Sequence, residues 1–340
     1  MPEKIVFVEM KEKWEKDYVL QNMEGTGPII FEEGQLQELG TRHQDVTLLS
    51  TFINSRLTRK DFGQFPHLRF VTTRSTGFDH IDIEAAKSRG ISVANVPTYG
   101  ENTVAEHTFA LILSLSRNLR KAYFKTKDGD FSLKGLMGFD LKGKTLGVIG
   151  TGHIGLHVIH MARGFGLKVL AYDGRKNHFL SEVMGFDYVP FEDLLAQSDI
   201  ISLHVPLIPS THHLINLGNI SKIKRGAVLI NTARGGLVQT AAVVKALDEE
   251  ILAGAGLDVL EGEELILEEK RLLESTENKE AWEKLQLTLK NHILLHRDNV
   301  IYTPHMAFYS KEAVIRILDT TISNIRSFLA GNPENVVNLK

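Results

Sequence analysis

Residues 145–173 read TLGVIGTGHIGLHVIHMARGFGLKVLAYD, and this stretch decides the fold. Thr145–Ile149 is a short apolar run with β-branched residues, as expected of a buried parallel strand. Gly150-Thr151-Gly152-His153-Ile154-Gly155 follows at once with the spacing G-x-G-x-x-G, and Val158 and Met161 continue at helical spacing. A second strand, Lys168–Tyr172, ends at Asp173, eighteen residues beyond Gly155. Strand, glycine turn, helix and strand-end acid together make the context that a dinucleotide-binding βαβ unit requires. Gly150 permits the tight turn, Gly152 lets backbone N–H groups approach a pyrophosphate, and Gly155 lets the helix pack against the strand. The helix N-terminus adds partial positive charge for the phosphates. Asp173 is placed to accept hydrogen bonds from both ribose hydroxyls of the adenosine half and to repel a 2′-phosphate. NAD is therefore expected over NADP, with Arg175 near enough to weaken the choice.

The same rhythm of short apolar runs and longer amphipathic stretches extends to both sides. Lys4–Val8, Val46–Phe52, Arg69–Thr73 and Ile91–Val96 form one series of strands. Ile200–Val205, Ala227–Asn231, Gly254–Val259 and Val300–Thr303 continue the second. This predicts an α/β protein with two doubly wound parallel-sheet domains. A break is expected near residues 96–103, where Thr103 and Glu106 have the spacing of a capping box ahead of Val104, Phe109, Leu111 and Leu115. The terminal stretch Tyr309–Leu329 has helical periodicity and is expected to pack back on the first domain, which makes that domain discontinuous (residues 1–101 and 309–340, against 102–308). Residues 263–299 read as a charged, solvated helical insertion, with a lid or an interface arm as the alternative.

Composition narrows the class. With 340 residues, a net charge of −3 and 24% charged residues, the chain suits an ordinary two-domain globular protein and not a nucleic-acid binder. The absence of cysteine excludes disulfides, thiolate metal sites and a catalytic thiol. The start, Met-Pro-Glu-Lys-Ile, lacks the pattern of a secretory signal, and no uncharged run approaches the roughly 18 residues of a membrane span, so a cytoplasmic setting without membrane contact is expected. No H-E-x-x-H spacing calls for a metal, and no G-x-S-x-G elbow calls for a serine hydrolase.

Open α/β sheets bind ligands beyond the carboxyl ends of their strands. Read in order, those ends carry His204, then Arg234 between Ala233 and Gly235, then Asp258 with Glu263 five residues on, then His305 after Pro304. These ionisable groups are thereby expected to face one crevice. A guanidinium at Arg234 suits a carboxylate and an adjacent carbonyl. An imidazole at His305 suits proton transfer to a developing alkoxide, with Glu263 as its partner. Asp258 follows the small residues Ala253-Gly254-Ala255-Gly256, which admit a close neighbour, and suits a nicotinamide carboxamide. His43, His67 and His178 read as solvated, and His212 and His213 as the start of a helical stretch.

At these residues the chain resembles the D-isomer-specific 2-hydroxyacid dehydrogenase family, nearest to its D-lactate dehydrogenase branch. The resemblance runs through Arg74–Asp82, Asn95–Tyr99, Gly150–Gly155, Ser202–Pro206, Asn231–Gly235, Gly256–Val259 and Thr303–Tyr309. It implies a Rossmann nucleotide-binding domain beside a flavodoxin-like substrate domain, with the site in the cleft between them. It also implies reversible reduction of a small 2-oxo acid, pyruvate foremost, to the D-2-hydroxy acid. In that likeness Arg234 binds substrate, His305 is the acid/base and Glu263 supports it. Backbone N–H groups of Ser75, Thr76 and Gly77 hold the substrate carboxylate, and Phe52 and Tyr99 border its side chain. NAD contacts fall to His153, Ile154, Asp173, Val205, Pro206, Thr211, Thr232, Ala233 and Asp258. Glyoxylate, hydroxypyruvate and 2-oxoisocaproate reductases would use the same residues, a formate dehydrogenase would carry Gln in place of Glu263, and a NAD(H)-sensing corepressor scaffold is the reading outside enzymes. The apolar surplus on the helix from Thr103 predicts a homodimer contact there.

Overall fold

The structure, a computed structural model, describes residues 3–40, 42–263 and 279–338. The chain divides into two compact units, Met1–Gly100 with Ser310–Lys340, and Glu101–Tyr309. In the first, β1 (Ile5–Phe7), β2 (Ile29–Phe31), β3 (Leu48–Thr51), β4 (Phe70–Thr73) and β5 (Ser92–Ala94) form a parallel sheet in the order β2-β1-β3-β4-β5. This is the flavodoxin-type order, with its switch between β1 and β3. Helices α1 (Lys13–Asn22), α2 (Arg59–Phe62) and α3 (Ile83–Ser88) connect the strands. Strand side chains alternate between the faces: Val6, Leu49, Val71 and Val93 enter one core, while Ile5, Phe7, Leu48 and Phe70 enter the other.

The second unit carries helices α4 (Glu101–Ser116), α5 (Leu119–Lys127), α6 (His153–Gly164), α7 (His178–Met184), α8 (Phe191–Gln197), α9 (Thr240–Asp248) and α10 (Lys279–Leu295). Its strands are β6 (Thr145–Ile149), β7 (Lys168–Tyr172), β8 (Asp187–Tyr188), β9 (Ile200–Leu203), β10 (Ala227–Asn231), β11 (Leu252–Leu257) and β12 (Val300–Tyr302), in the order β12-β11-β10-β9-β6-β7-β8. The order reverses beside β6, as in a Rossmann sheet, and all pairs are parallel. Helix α4 packs with α6 on one face, through Phe109, Leu111 and Ile112 against Val158 and Ile159. The glycines of β11 make room for it: a Cβ at Gly256 would stand 3.0 Å from the Leu111 Cβ. Among the described residues no helix is long and apolar enough to cross a membrane.

Several local expectations are corrected. Strands β2 and β8, both at sheet edges, lack the long apolar run that marks a buried strand and went unpredicted. The helix expected from Thr103 starts at Glu101, so Thr103 is a buried interior residue and Glu106 accepts from Asn102 Nδ2 (3.0 Å) instead of closing a capping box. That helix stops at Ser116; Asn118, at φ +51°, turns the chain into the separate helix α5. Most of the apolar side chains of α4 are buried, and the apolar surplus lies instead on α5 and the segment after it. His212 and His213 sit in turns, and His43 is paired with Glu32 at 2.6 Å rather than solvated. Of the charged insertion, α10 buries Thr288, Asn291 and Leu294, so it is not a wholly solvated run; residues 264–278 lie outside the described residues.

After the second unit the chain returns to the first with α11 (Lys311–Leu329), capped by Ser310 Oγ on the Ala313 N–H (3.2 Å). Val314, Leu318, Ile322 and Ile325 join the core that holds Ile5, Phe7 and Phe70. Asn324 is fully buried there; its Nδ2 donates to the Asn95 carbonyl (2.9 Å), and its Oδ1 accepts from Asn335 Nδ2 (2.8 Å). Asn324→Leu would leave the buried Asn95 carbonyl unsatisfied, so denaturant unfolding of the variant is expected to show a loss of about 1–3 kcal/mol.

Candidate active site

The turn between β6 and α6 is built for an anion. Gly150 lies at φ +101°, and a Cβ there would stand 2.6 Å from the His204 carbonyl oxygen. A Cβ on Gly155 would stand 2.0 Å from the Gly150 oxygen, so glycine lets α6 start against the strand end. At Gly152, the N-cap of α6, a Cβ would meet nothing within 4 Å, and no side chain caps the helix. Open space in front of uncapped N–H groups fits a pyrophosphate. Asp173, at the end of β7, accepts from Thr151 N (2.7 Å), Thr151 Oγ1 (3.0 Å) and Arg175 N (2.8 Å). Partial burial works against its charge, but these hydrogen bonds win and hold the carboxyl below its ordinary range. The residues present thus fit NAD. His153 and Ile154 open α6, while Thr211 turns its hydroxyl into its own loop, donating to the Pro206 carbonyl (2.6 Å). Val205 and Pro206 leave β9 beside Gly150.

Neighbouring strands β10, β11 and β12 carry the ionisable groups. Asn231, buried at the end of β10, shapes the next turn: its Oδ1 accepts from Ala233 N (3.1 Å), and its Nδ2 donates to the Arg234 carbonyl (2.9 Å). Arg234 leaves this turn with Nη1 on the Ala233 carbonyl (2.8 Å). A Cβ on Gly235 would lie 2.0 Å from the Leu260 oxygen, so the chain passes close to the segment after β11.

Beyond β12, His305 adopts φ +51°, a left-handed conformation uncommon outside glycine. Its N–H donates to the Asp258 carbonyl (2.8 Å), and its Nδ1 lies 3.0 Å from Glu263 Oε1. The Asp258 side chain, with no exposed surface, accepts from Thr303 Oγ1 (2.5 Å), Met306 N (2.9 Å) and Ala307 N (2.9 Å). Burial pushes this carboxyl up, but hydrogen bonds led by His107, with Thr303, Ala307 and Met306, bring it below its usual value. Three of their acceptor sites are taken by the segment that carries His305. Tyr302, between these carboxylates, is pushed up to about 12, by burial first and then by Glu263 and Asp258.

His204 does not share the expected crevice chemistry. Burial pushes its imidazole down to about 3; Nε2 lies 2.8 Å from Ser202 Oγ, and Nδ1 is buried without a partner among the described residues. It is neutral at working pH and no acid/base candidate. Among the described residues no group of three or more His, Asp or Glu side chains is arranged to hold a metal.

In the first unit, the turn after β4 has its carbonyls pinned: Ser75 O accepts from Val96 N (3.1 Å), Thr76 O from Asn95 Nδ2 (2.7 Å) and Gly77 O from Ser75 Oγ (2.7 Å). The N–H groups of Ser75, Thr76 and Gly77 donate to nothing among the described residues. Consecutive free N–H groups on a fixed turn make an anion nest. Sequence reasoning gave no role to the preceding Arg74. Its buried guanidinium donates to the carbonyls of Val8 (2.6 Å), Glu9 (3.3 Å) and Ser50 (3.3 Å) and lies 5.6 Å from the Phe52 ring centroid. Burial lowers it to about 10, so it stays charged and fixes the base of the turn. Phe52 and Tyr99 are half-buried, and the Tyr99 carbonyl accepts from Arg316 Nε.

Known proteins place this geometry. Residues 109–307 match the family model described as D-isomer specific 2-hydroxyacid dehydrogenase, NAD binding domain. A 2-hydroxyacid dehydrogenase homolog of Haemophilus influenzae is 39% identical over 290 residues, 84% of each chain. A D-lactate dehydrogenase of Curvularia clavata is 40% identical, covering 78% of this chain and 73% of its own. The crystal structure of the Aquifex aeolicus D-lactate dehydrogenase, complexed with NAD and lactic acid, superposes with a TM-score of 0.86 at 36% identity over 99% of both chains. With its glycine turn, its strand-end acid and these matches, the chain belongs to the D-isomer-specific 2-hydroxyacid dehydrogenases and is an NAD-dependent oxidoreductase.

Proposed function

We propose that this dehydrogenase interconverts pyruvate, or another small 2-oxo acid, with the D-2-hydroxy acid. The observation that carries the reading is the His305–Glu263 pair at 3.0 Å, on a segment anchored by Asp258. Nδ1 of His305 faces Glu263, so Nε2 is the nitrogen offered to substrate. In reduction it gives its proton to the developing alkoxide, and in oxidation it takes the proton back. Glu263 orients the ring and supplies a counter-charge to its protonated form. Arg234 receives the substrate carboxylate and polarises the neighbouring carbonyl, and in the first unit the N–H groups of Ser75, Thr76 and Gly77 are suited to a carboxylate. Gly150–Gly155 and Asp173, with Val205, Pro206, Thr211, Thr232 and Ala233, would hold NAD, which would supply or take up the hydride when bound. The acidic Asp173 favours NAD over NADP.

Initial rates with NADH and NADPH over a series of 2-oxo acids test this. Pyruvate with NADH is expected to give the highest kcat/KM, and Arg234→Gln to cost roughly 2–5 kcal/mol of transition-state binding. A clear preference for glyoxylate, hydroxypyruvate or 2-oxoisocaproate would move the substrate assignment, and no turnover with any of them would overturn the reading. Phe52→Ala is expected to raise the rate on bulkier 2-oxo acids relative to pyruvate; an unchanged ratio would remove Phe52 from the side-chain pocket.

We also propose that two copies pair through α5 and the segment after it. No residue of α5 is buried, and Phe131, Leu133 and Met137 are 80%, 85% and 93% exposed. Leu119, Tyr123 and Phe124 of α5 are exposed as well, so the apolar side chains that a partner copy would cover lie on consecutive segments of the chain. Light scattering is expected to give a dimer that the double variant Phe131→Asp, Leu133→Asp converts to monomer; a monomeric parent at micromolar concentration would contradict it.

A further inference from the structure

Helix α4 places His107 and Thr108, next to the exposed Glu106, in a stretch otherwise made of Val104, Ala105, Phe109, Ala110, Leu111 and Ile112. Both reach the sheet. His107 Nε2 lies 3.0 Å from Thr303 Oγ1 and 3.5 Å from Asp258 Oδ1. Thr108 Oγ1 lies 3.0 Å from Thr232 Oγ1. The donors can be assigned from what each group has to give. The Thr303 hydroxyl donates to the Asp258 carboxylate, which only accepts, so its oxygen receives its other bond from His107 Nε2–H. The Thr108 hydroxyl donates to the Val104 carbonyl (2.9 Å), so Thr232 is the donor in their contact.

The two partner threonines occupy matching places. Thr232 stands two residues before Arg234 at the end of β10, and Thr303 stands two residues before His305 at the end of β12. Strand β11 separates them, and its glycines let α4 sit close enough for both bonds, with Leu111 and Leu115 against the sites of Gly254 and Gly256. Apolar residues of similar shape at 107 and 108, matched by apolar partners, would cost the fold little, because a buried polar pair adds only modestly to stability.

We infer that His107 and Thr108 are positioning residues of the reaction: from one rigid helix, His107 sets the segment that carries His305 and Thr108 the segment that carries Arg234. The inference rests on the roles proposed above for Arg234 and His305. His107 acts through Thr303 and Asp258, which hold His305 in its left-handed conformation. Thr108 acts through Thr232 on the turn shaped by Asn231.

The test uses the full-length protein with NADH and pyruvate. His107→Gln keeps a donor near the place of Nε2, whereas His107→Asn is too short to reach Thr303. Thr108→Val removes the hydroxyl at constant shape, and Thr108→Ser keeps it. His107→Asn is expected to lower kcat about 10- to 100-fold, the cost of a misplaced catalytic group, with the dissociation constant for NADH changed less than about twofold. Thr108→Val is expected to raise KM for pyruvate about tenfold, with a smaller effect on kcat. The glutamine and serine variants are expected to recover most of each loss. Folded asparagine and valine variants with parental kcat and KM would overturn the inference. So would losses that track a fall in melting temperature and are not rescued by glutamine or serine. A parent that reduces no 2-oxo acid would instead overturn the underlying reading, before any variant is compared.

Discussion

The carboxylate of Asp258 has no exposed surface, and the reactive end of the second unit is organised around it. A charge taken out of water is tolerated only when donors replace the solvent. Here the Thr303 hydroxyl and the Met306 and Ala307 N–H groups do so. These three donors come from one short segment, with the His107 ring of α4 3.5 Å from the same carboxylate, so satisfying the charge also fixes the path of the chain from 303 to 307. His305 lies inside that path at φ +51°, a conformation that local preference disfavours and the surrounding bonds enforce. Its ring is then presented to Glu263, which leaves β11 only a few residues after Asp258 itself. Desolvation, strain and acid/base geometry are in this way one structure.

The parallel sheet supplies the rest of the arrangement. Parallel strands all point their carboxyl ends the same way, so the segments after β10, β11 and β12 emerge side by side with Arg234, Glu263 and His305. Helix α4 locks these ends from one face of the sheet, and it lies close enough only because β11 alternates small residues. In the first unit the same logic fixes the turn after β4. Its carbonyls are used up by Val96, Asn95 and Ser75, its base is tied by Arg74, and its N–H groups are left for an anion.

Much of this was legible in the sequence because it depends on short-range signals. G-x-G-x-x-G between a strand and a helix is written in consecutive residues, and so are the runs of the central strands. The edge strands β2 and β8 were not legible: three and two residues long, they carry too little pattern and exist because a neighbouring strand offers a ladder. The start of α4 was misread because Thr103 and Glu106 have capping spacing, while tertiary packing buries Thr103 inside the helix. The roles of His107, Thr108 and Arg74 depend on partners far along the chain, so no local pattern marks them. Small residues in β11 signalled a close neighbour, but only the fold shows that the neighbour is α4.

The central claim is that proton transfer belongs to the imidazole which Asp258 positions and Glu263 orients. It is tested most directly by comparing pyruvate reduction in the parent and in His305→Gln, with NADH binding followed separately by fluorescence. Loss of about 100- to 10,000-fold in kcat with NADH affinity preserved is the predicted result. A glutamine variant that binds NADH and turns over at the parental rate would contradict the account.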